Sequence, residues 1–185
     1  MPYGWRKNVG YRYRKGGTYI TQDASHKTLR IGLDLDRYSL NRTREKYSLP
    51  SVEADATVRL PFKDKSFTKV EIIFPLDELL IALTDQNNGL LREIKRITKK
   101  EVSIILDTDY FWRQGVYSNG KPIIVDHPHE LIANNLKTNG LPIKEFREMT
   151  TDEVQALGTD ISEGVSDWMQ EMIRHKAWKI VASAT

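Results

Sequence analysis

Residues 29–56 read LRIGLDLDRYSLNRTREKYSLPSVEADA and predict a strand, a helix and a second strand. The apolar run 29–35 is typical of a strand that is covered on both faces. Residues 37–47 follow as a helix that ends before Pro50, because the residue before a proline disfavours helical backbone. Residues 52–56 form the second strand. Strand, helix and strand in this order indicate a βαβ unit and a parallel sheet.

The same alternation continues along the rest of the chain. Because crossovers between parallel strands are right-handed, the pattern predicts an α/β fold with a doubly wound, mostly parallel sheet. We expect residues 29–185 to form this single Rossmann-like domain and residues 1–28 to form a separate basic, aromatic segment. Further strands are predicted at 69–74, 102–106, 143–146 and 178–182, and further helices at 87–98, 128–138, 150–158 and 165–172.

The composition excludes several classes of protein. The 185 residues suffice for one domain with a sizeable core, and 39% hydrophobic and 29% charged residues are ordinary for a globular protein. The sequence has no apolar run of about 18 residues that would span a membrane, and its start lacks the apolar region of a secretory signal. The absence of cysteine excludes disulfides and cysteine nucleophiles and predicts a cytoplasmic protein.

Positive charge is concentrated at the start of the chain. Residues 1–30 contain seven Lys/Arg and one acidic residue, whereas residues 31–185 contain 21 and 24. Basic groups neutralise phosphates and aromatic rings stack on bases, so this segment is a candidate RNA- or DNA-binding arm. The alternative is a solvated basic tail. The aromatic residues of the arm are Tyr3, Trp5, Tyr11, Tyr13 and Tyr19.

Two carboxylates lie at the ends of the first two predicted strands, Asp34 and Asp55. In parallel sheets, ligands bind beyond the carboxyl ends of the strands. One carboxylate there can accept both hydroxyls of a ribose, and a carboxylate on the next strand can accept an exocyclic amine. The pair therefore predicts a nucleoside site, and the alternative for each residue is a helix cap or a loop position.

Two later segments, LPFKDKSF (60–67) and LLREIKRI (90–97), stand in this order behind the carboxylates. Over residues 29–110 the sequence resembles the class I S-adenosylmethionine (SAM)-dependent methyltransferases. The resemblance implies a Rossmann-like fold, SAM as cofactor and methyl transfer to an acceptor that the sequence does not identify. The alternative is a non-catalytic protein of this fold that binds nucleic acid or a protein partner through residues 1–30.

The resemblance implies a role for each residue at a matching position. Asp34 corresponds to the acid that binds the ribose hydroxyls of SAM, and Asp55 corresponds to the acid that binds the adenine amine. Because the sulfonium already activates the methyl group, the site mainly has to align donor and acceptor. The other contacts implied are Leu35 and Ala56 beside the adenine, and Phe74 and Pro75 where the acceptor approaches.

The first strand and glycine loop of the family match least well. The family spacing places Gly16 and Gly17 near the methionine part of SAM. Residues 11–14 are a poor central strand, because two arginines would point to a covered face. Residues 18–21 are better strand formers, but too few residues separate them from 29–35 for a crossover helix, so a hairpin is the alternative. We therefore expect the first βα unit to be reduced or remodelled.

Two residues are weak candidates for a catalytic base, Asp77 and His129. Asp77 follows the strand at 69–74, and histidine is the side chain that titrates near neutral pH without perturbation. His127 and Glu130 lie next to His129 in the sequence and suggest a metal site. The sequence offers no further ligand at matching spacing and a helix begins here, so we predict no metal.

Overall fold

A computed structural model of the chain describes fourteen stretches of sequence. Residues 37, 40–41, 44–45 and 151–154 are helical but are not numbered here as separate helices. The strands are β1 (Thr18–Ala24), β2 (Lys27–Asp34), β3 (Ser51–Glu53), β4 (Phe67–Ile73), β5 (Thr98–Asp107), β6 (Val116–Ser118), β7 (Lys121–Ile123), β8 (Ile143–Glu148) and β9 (Ala177–Ser183), and the helices are α1 (Asp77–Thr84), α2 (Leu90–Ile97) and α3 (Pro128–Thr138). The described residues are 18–24, 27–34, 37, 40–41, 44–45, 48, 50–56, 58–73, 77–85, 89–107, 116–118, 121–123, 127–154 and 177–185.

Seven strands form one sheet in the order β3-β2-β1-β4-β5-β9-β8, and β6 and β7 form a separate hairpin. The β2–β3 and β4–β5 pairs are parallel. Strand β1 is antiparallel to both of its neighbours, and so is β9. Consequently β2, β3, β4, β5 and β8 all run in the same direction. The predicted α/β fold with a mostly parallel sheet is confirmed.

Strand β1, which lies between β2 and β4, runs in the opposite direction to both of them. Thr18 pairs with Leu33 of β2 and with Ile72 of β4, and Ala24 pairs with Lys27. Only two residues separate β1 from β2, which suffices for an antiparallel hairpin but not for a crossover helix. The hairpin alternative is therefore the correct one, and the first βα unit is remodelled.

The predicted elements agree closely with the structure in the second half of the chain. The helix predicted at 128–138 has those bounds, and the strand predicted at 102–106 is the apolar part of the longer β5. The polar start of β5 extends the ladder, because Lys69 of β4 pairs with Glu101 and forms an ion pair with it. The sequence analysis did not predict α1 or the β6–β7 hairpin. The helix predicted at 165–172 lies outside the described residues.

Strand β5 is covered on both faces, as its apolar sequence predicted. Val102, Ile104 and Leu106 belong to the main core, whereas Ile105 packs with Val154 on the opposite face. Helix α2 contributes its predicted apolar stripe to the main core, where all four residues are almost fully buried. No helix in the described parts of the chain is long and apolar enough to cross a membrane. The stripe of α2 consists of Leu90, Leu91, Ile94 and Ile97.

An ion pair on α2 holds the loop that follows the second predicted strand. Glu93 accepts a hydrogen bond from the backbone N–H of Leu60 at 3.0 Å, and Arg96 donates to Glu93 at 2.7 Å. Arg96 also donates to the carbonyls of Leu60 and Phe62, at 3.0 and 2.7 Å, and to the Asp64 carboxylate at 2.7 Å. The segments LPFKDKSF and LLREIKRI are therefore two halves of one hydrogen-bonded unit.

Lys65 fixes the end of the same loop. Its backbone has a positive φ of 52°, and its N–H donates to the carbonyl of Arg96 at 2.8 Å. Its ammonium group donates to the carbonyls of Thr98 and Ala184, at 2.8 and 3.1 Å. One cation thus joins the loop, the start of β5 and the last residues of the chain.

Helix α3 is joined to α1 by a buried amide. Asn135 is 1% exposed, and its side-chain N–H groups donate to the carbonyls of Leu83 and Thr84 at 3.0 and 2.8 Å. These carbonyls belong to the last turn of α1, which has no partner for them within the helix. The bond fixes where α3 lies and therefore where its first residues meet the sheet.

We expect the substitution Arg96→Ala to lower the free energy of unfolding by about 2–3 kcal/mol, because it removes the donors to two loop carbonyls and the ion-pair partner of the part-buried Glu93 carboxylate. Urea denaturation followed by circular dichroism measures the change. Arg92→Ala is the matched control, since Arg92 is an exposed arginine on the same helix. Equal destabilisation by the two substitutions would contradict the role of the ion pair.

We expect stability to depend on pH through Glu93. Hydrogen bonding to Arg96 lowers the pKa of this carboxyl below its usual value of 4.5. Its contribution is therefore complete above the unfolded-state pKa and is lost as the pH falls through the folded-state pKa. In urea titrations from pH 7 to pH 3.5, the stability difference between the wild type and Glu93→Gln should shrink as the pH falls. A difference that stays constant over this range would show that the charge of Glu93 does not stabilise the fold.

Candidate functional site

One edge of the sheet collects the polar residues that the sequence analysis selected. The parallel strands β2, β3, β4, β5 and β8 all end there, and the reversed strands β1 and β9 begin there, at Thr18 and Ala177. Asp34 is the last residue of β2 and Asp107 is the last residue of β5. Asp55 follows the end of β3 by two residues. This carboxyl edge is where open α/β sheets bind their ligands.

The order of the strands reverses between β1 and β4, at the centre of this edge. Connections on one side lead outward through β2 to β3, and on the other side from β4 to β5. A crevice at such a switch point is the usual ligand site of the fold. In this chain β1 enters the sheet at the crevice with Thr18 and leaves it at the opposite edge with Ala24. A glycine loop that follows the first strand is therefore ruled out at this crevice.

Gly16 and Gly17 lie outside the described residues. In the sequence they come directly before Thr18, which pairs with Leu33, the neighbour of Asp34. If the glycine pair acts at the crevice, it does so from the segment that leads into β1. Leu35, Phe74 and Pro75 also lie outside the described residues, so their predicted contacts stay predictions.

The two predicted nucleoside carboxylates lie on adjacent parallel strands. Asp34 pairs with Glu53, and Asp55 comes two residues after Glu53. Neighbouring strands are about 4.8 Å apart, so the two acids occupy neighbouring positions on the same edge. Asp55 is half-buried, and Ala54 and Ala56 on either side of it pack against the main core. The backbone therefore places Asp34 and Asp55 at the carboxyl ends of neighbouring strands, offset by two residues.

An arginine beside this pair escaped the sequence analysis. The Arg37 guanidinium donates to both carboxylate oxygens of Glu53, at 2.8 and 3.3 Å. Arg44 donates to the carbonyl of Ser51 at 2.7 Å, at the start of the same strand. These exposed contacts attach the helical residues Arg37 and Arg44 to β3. The βαβ pattern at 29–56 predicted a helix at these residues. It did not predict that Arg37 and Arg44 would bond to β3.

A second group of polar side chains lies where α3 begins. His127 precedes the helix with a positive φ of 48°. The ring of His129 stacks on Trp178, with 4.4 Å between ring centroids and 17° between ring planes, and lies 5.9 Å from the ring of Phe146. His129 is 8% exposed, and its Nδ1 is buried without a hydrogen-bond partner in the described structure. Burial lowers the pKa of His129.

His129 lies far along the edge from the nucleoside carboxylates. Trp178 belongs to β9, which is four strands from β2, and four strand spacings amount to about 19 Å. Asp77 is the first residue of α1, directly after the loop that follows β4. The proposed roles of Asp77 and His129 as catalytic bases stay predictions.

The structure brings Glu130 into a cluster that the sequence analysis set aside. One ligand atom from each of His127, His129 and Glu130 lies within 4.8 Å of the other two. His127 and Glu130 are exposed, whereas His129 is buried. The sequence pattern at 127–130 suggested this group of ligands but predicted no metal, because the sequence offered no further ligand at matching spacing and a helix begins there.

Comparison with known proteins confirms the resemblance to class I SAM-dependent methyltransferases. Residues 15–106 match the family model described as a methyltransferase domain. No curated protein matches the chain in sequence. The chain is therefore a methyltransferase-like protein, and its matched segment contains β1, Asp34, Asp55 and the Glu93–Arg96 unit.

Solved structures share the fold at low sequence identity. The 16S rRNA methyltransferase KamB aligns with a TM-score of 0.61 and 16% identity over 83% of this chain and 75% of that one. The 16S rRNA (adenine(1408)-N(1))-methyltransferase from Catenulisporales acidiphilia, solved as a W203A mutant with its cosubstrate SAM, gives 0.53 and 11% over 85% and 73%. The [4+2]-cyclase SpnF gives 0.50 and 15% over 83% and 64%. A fold shared with a cyclase does not by itself determine the reaction.

Proposed function

We propose that this methyltransferase-like protein binds SAM and transfers its methyl group to an acceptor. The observation that carries the proposal is the position of Asp34 and Asp55 at the carboxyl ends of the adjacent parallel strands β2 and β3, near the switch point of the sheet. Asp34 pairs with Glu53 and Asp55 lies two residues farther along, so the two acids are offset along the edge as the ribose and the adenine of one nucleoside are. SAM, when bound, supplies a methyl group that its sulfonium already activates.

The task of the chain is then to hold the cofactor and orient the acceptor. In this proposal Asp34 accepts the ribose hydroxyls and Asp55 accepts the adenine amine, with Ala56 beside the ring. The Glu93–Arg96 unit keeps the loop that follows Asp55 in place. The proposal assigns the remaining contacts to Leu35 beside the adenine, to Phe74 and Pro75 near the acceptor, and to Gly16 and Gly17 near the methionine part.

We further propose that the acceptor is RNA and that the protein acts in the cytoplasm. Two of the proteins that share the fold are named as 16S rRNA methyltransferases. The basic segment 1–30 has a net charge of +6, which suits a phosphate backbone. Residues 1–17 of this segment come directly before Thr18, which lies at the same edge of the sheet as Asp34 and Asp55. The absence of cysteine fits a reducing compartment.

A second candidate function is non-catalytic binding of nucleic acid or a protein partner through the same segment. The reversal of β1 favours it, because the loop that normally follows the first strand cannot lie at the crevice. The first candidate requires that the protein bind SAM and its product S-adenosylhomocysteine. The second requires neither.

Isothermal titration calorimetry with S-adenosylhomocysteine separates the two candidates. We expect the wild type to bind and Asp34→Ala to weaken binding by about 10- to 100-fold, because hydrogen bonds to charged groups contribute about 1.5–3 kcal/mol each. Asp85→Ala is the matched control, since Asp85 is exposed and follows the far end of α1. No binding by the wild type would leave the non-catalytic function, and unchanged affinity in Asp34→Ala would refute the ribose assignment.

Removal of residues 1–15 tests the RNA proposal. The truncated protein loses five Lys/Arg residues. Its affinity for an rRNA fragment should fall, and the slope of log affinity against log salt should flatten by up to about 3.5, since each phosphate contact to a single strand contributes about 0.7. Filter binding or fluorescence anisotropy at several salt concentrations measures both. The same affinity and slope as the full chain would show that this segment does not bind the RNA.

A further inference from the structure

The cluster at the start of α3 has the composition of a metal site. It contains two imidazoles and one carboxylate, from His127, His129 and Glu130, and their ligand atoms lie within 4.8 Å of one another. Imidazole and carboxylate together suit zinc and its neighbours in the first transition row, whereas magnesium and calcium prefer oxygen ligands alone. We propose that these three side chains bind a divalent transition-metal ion, for which zinc is the representative. The proposal is independent of SAM binding.

The geometry needs only a small adjustment to close around an ion. Zn–N distances of 2.0–2.1 Å place the ligands of a tetrahedral zinc about 3.3 Å apart, so the cluster must contract by at most about 1.5 Å. His127 and Glu130 are exposed, and the ring of His127 meets the ring of His129 edge-on, with 5.9 Å between ring centroids. His129 is held by its stack on Trp178, so at least one ligand is fixed in advance.

A second observation at this cluster points independently to a ligand. The Nδ1 atom of His129 is buried and has no hydrogen-bond partner in the described structure. Buried polar atoms are nearly always paired, and each exception calls for an explanation such as a catalytic role or an ion. Trp178 and Phe146, which contact the ring, offer faces of aromatic rings rather than acceptors or donors to this nitrogen. An ion at this imidazole explains why a histidine stands in a stack of aromatic rings with a buried nitrogen that has no partner among the described residues.

The charges around the cluster and the number of its ligands indicate an open rather than a closed metal site. The positive end of the α3 dipole opposes a cation, and the carboxylate of Glu130 in the first turn offsets it. Three protein ligands leave at least one coordination position of a tetrahedral ion open, as in zinc sites that bind water or a substrate rather than in closed structural sites. The chain has no cysteine, so thiolates cannot compete for the ion.

Zinc binding to the full-length, tag-free and chelator-treated protein tests the proposal. Zinc chloride is titrated in competition with a chromophoric indicator, and cobalt chloride is titrated in parallel to follow its visible absorption. We expect one ion per chain, and a loss of affinity of at least about tenfold in His127→Ala and in Glu130→Gln, since each removes one ligand. His26→Ala and His175→Ala are the matched controls, because they replace the other two histidines of the chain.

A third variant separates metal binding from packing. His129→Phe preserves an aromatic ring against Trp178 and removes both nitrogens, so it should keep the circular dichroism spectrum of the wild type and lose zinc binding. If His129→Phe misfolds, the zinc affinities of His127→Ala and Glu130→Gln test the proposal instead. Absence of zinc binding at micromolar concentration, or binding that survives all three substitutions, would overturn the proposal. So would a loss of binding in a control variant with the three ligands intact.

Discussion

The ion pair between Glu93 and Arg96 is the contact on which the rest of the domain depends. It lies on α2 but bonds mainly to backbone groups of the loop at 60–64, so it joins two segments that are about 30 residues apart. Charge-assisted hydrogen bonds of this kind are shorter and stronger than neutral ones. These bonds pair backbone groups of a loop that is not part of the sheet. The loop lies between Asp55 and β4. Because β4 borders the switch point, the pair indirectly fixes the crevice as well.

The reversed first strand is the main departure from a parallel arrangement. The hairpin places β1 between β2 and β4, and the five strands of common direction still end at one carboxyl edge with a switch point between β1 and β4. What changes is the direction of the chain: β1 begins at the crevice with Thr18 and ends at the opposite edge with Ala24. The residues that follow the first strand therefore cannot contribute to a site at this crevice, and in sequence the residues next to its start are those that precede Thr18. In this protein those residues are also the most basic part of the sequence.

The carboxyl edge carries two groups of polar residues with different chemistry. The acids on β2 and β3 suit a nucleoside, and the imidazoles beside β8 and β9 suit a metal ion. Both groups lie there for the same topological reason: parallel strands end at this edge, and the helices that return across the sheet begin at it. Asn135, which bonds α3 to α1, then determines how close the start of α3 comes to Trp178. The fold explains the location of both groups, but the reaction depends on the residues themselves.

The sequence by itself determined the elements with strong local signals and the position of Asp34 and Asp55 at the carboxyl edge of neighbouring strands. Apolar period, helix caps and prolines are local, so β2, β5 and α3 were readable, and carboxylates at strand ends were readable from parallel topology. The direction of β1 was not, because hairpin and crossover differ in how distant strands pair rather than in local sequence. The convergence of Glu130 with His127 and His129 also needed the tertiary structure. His127 has a positive φ of 48° directly before α3, and His129 stacks on Trp178 of a strand about 50 residues away, and neither feature is a local sequence signal.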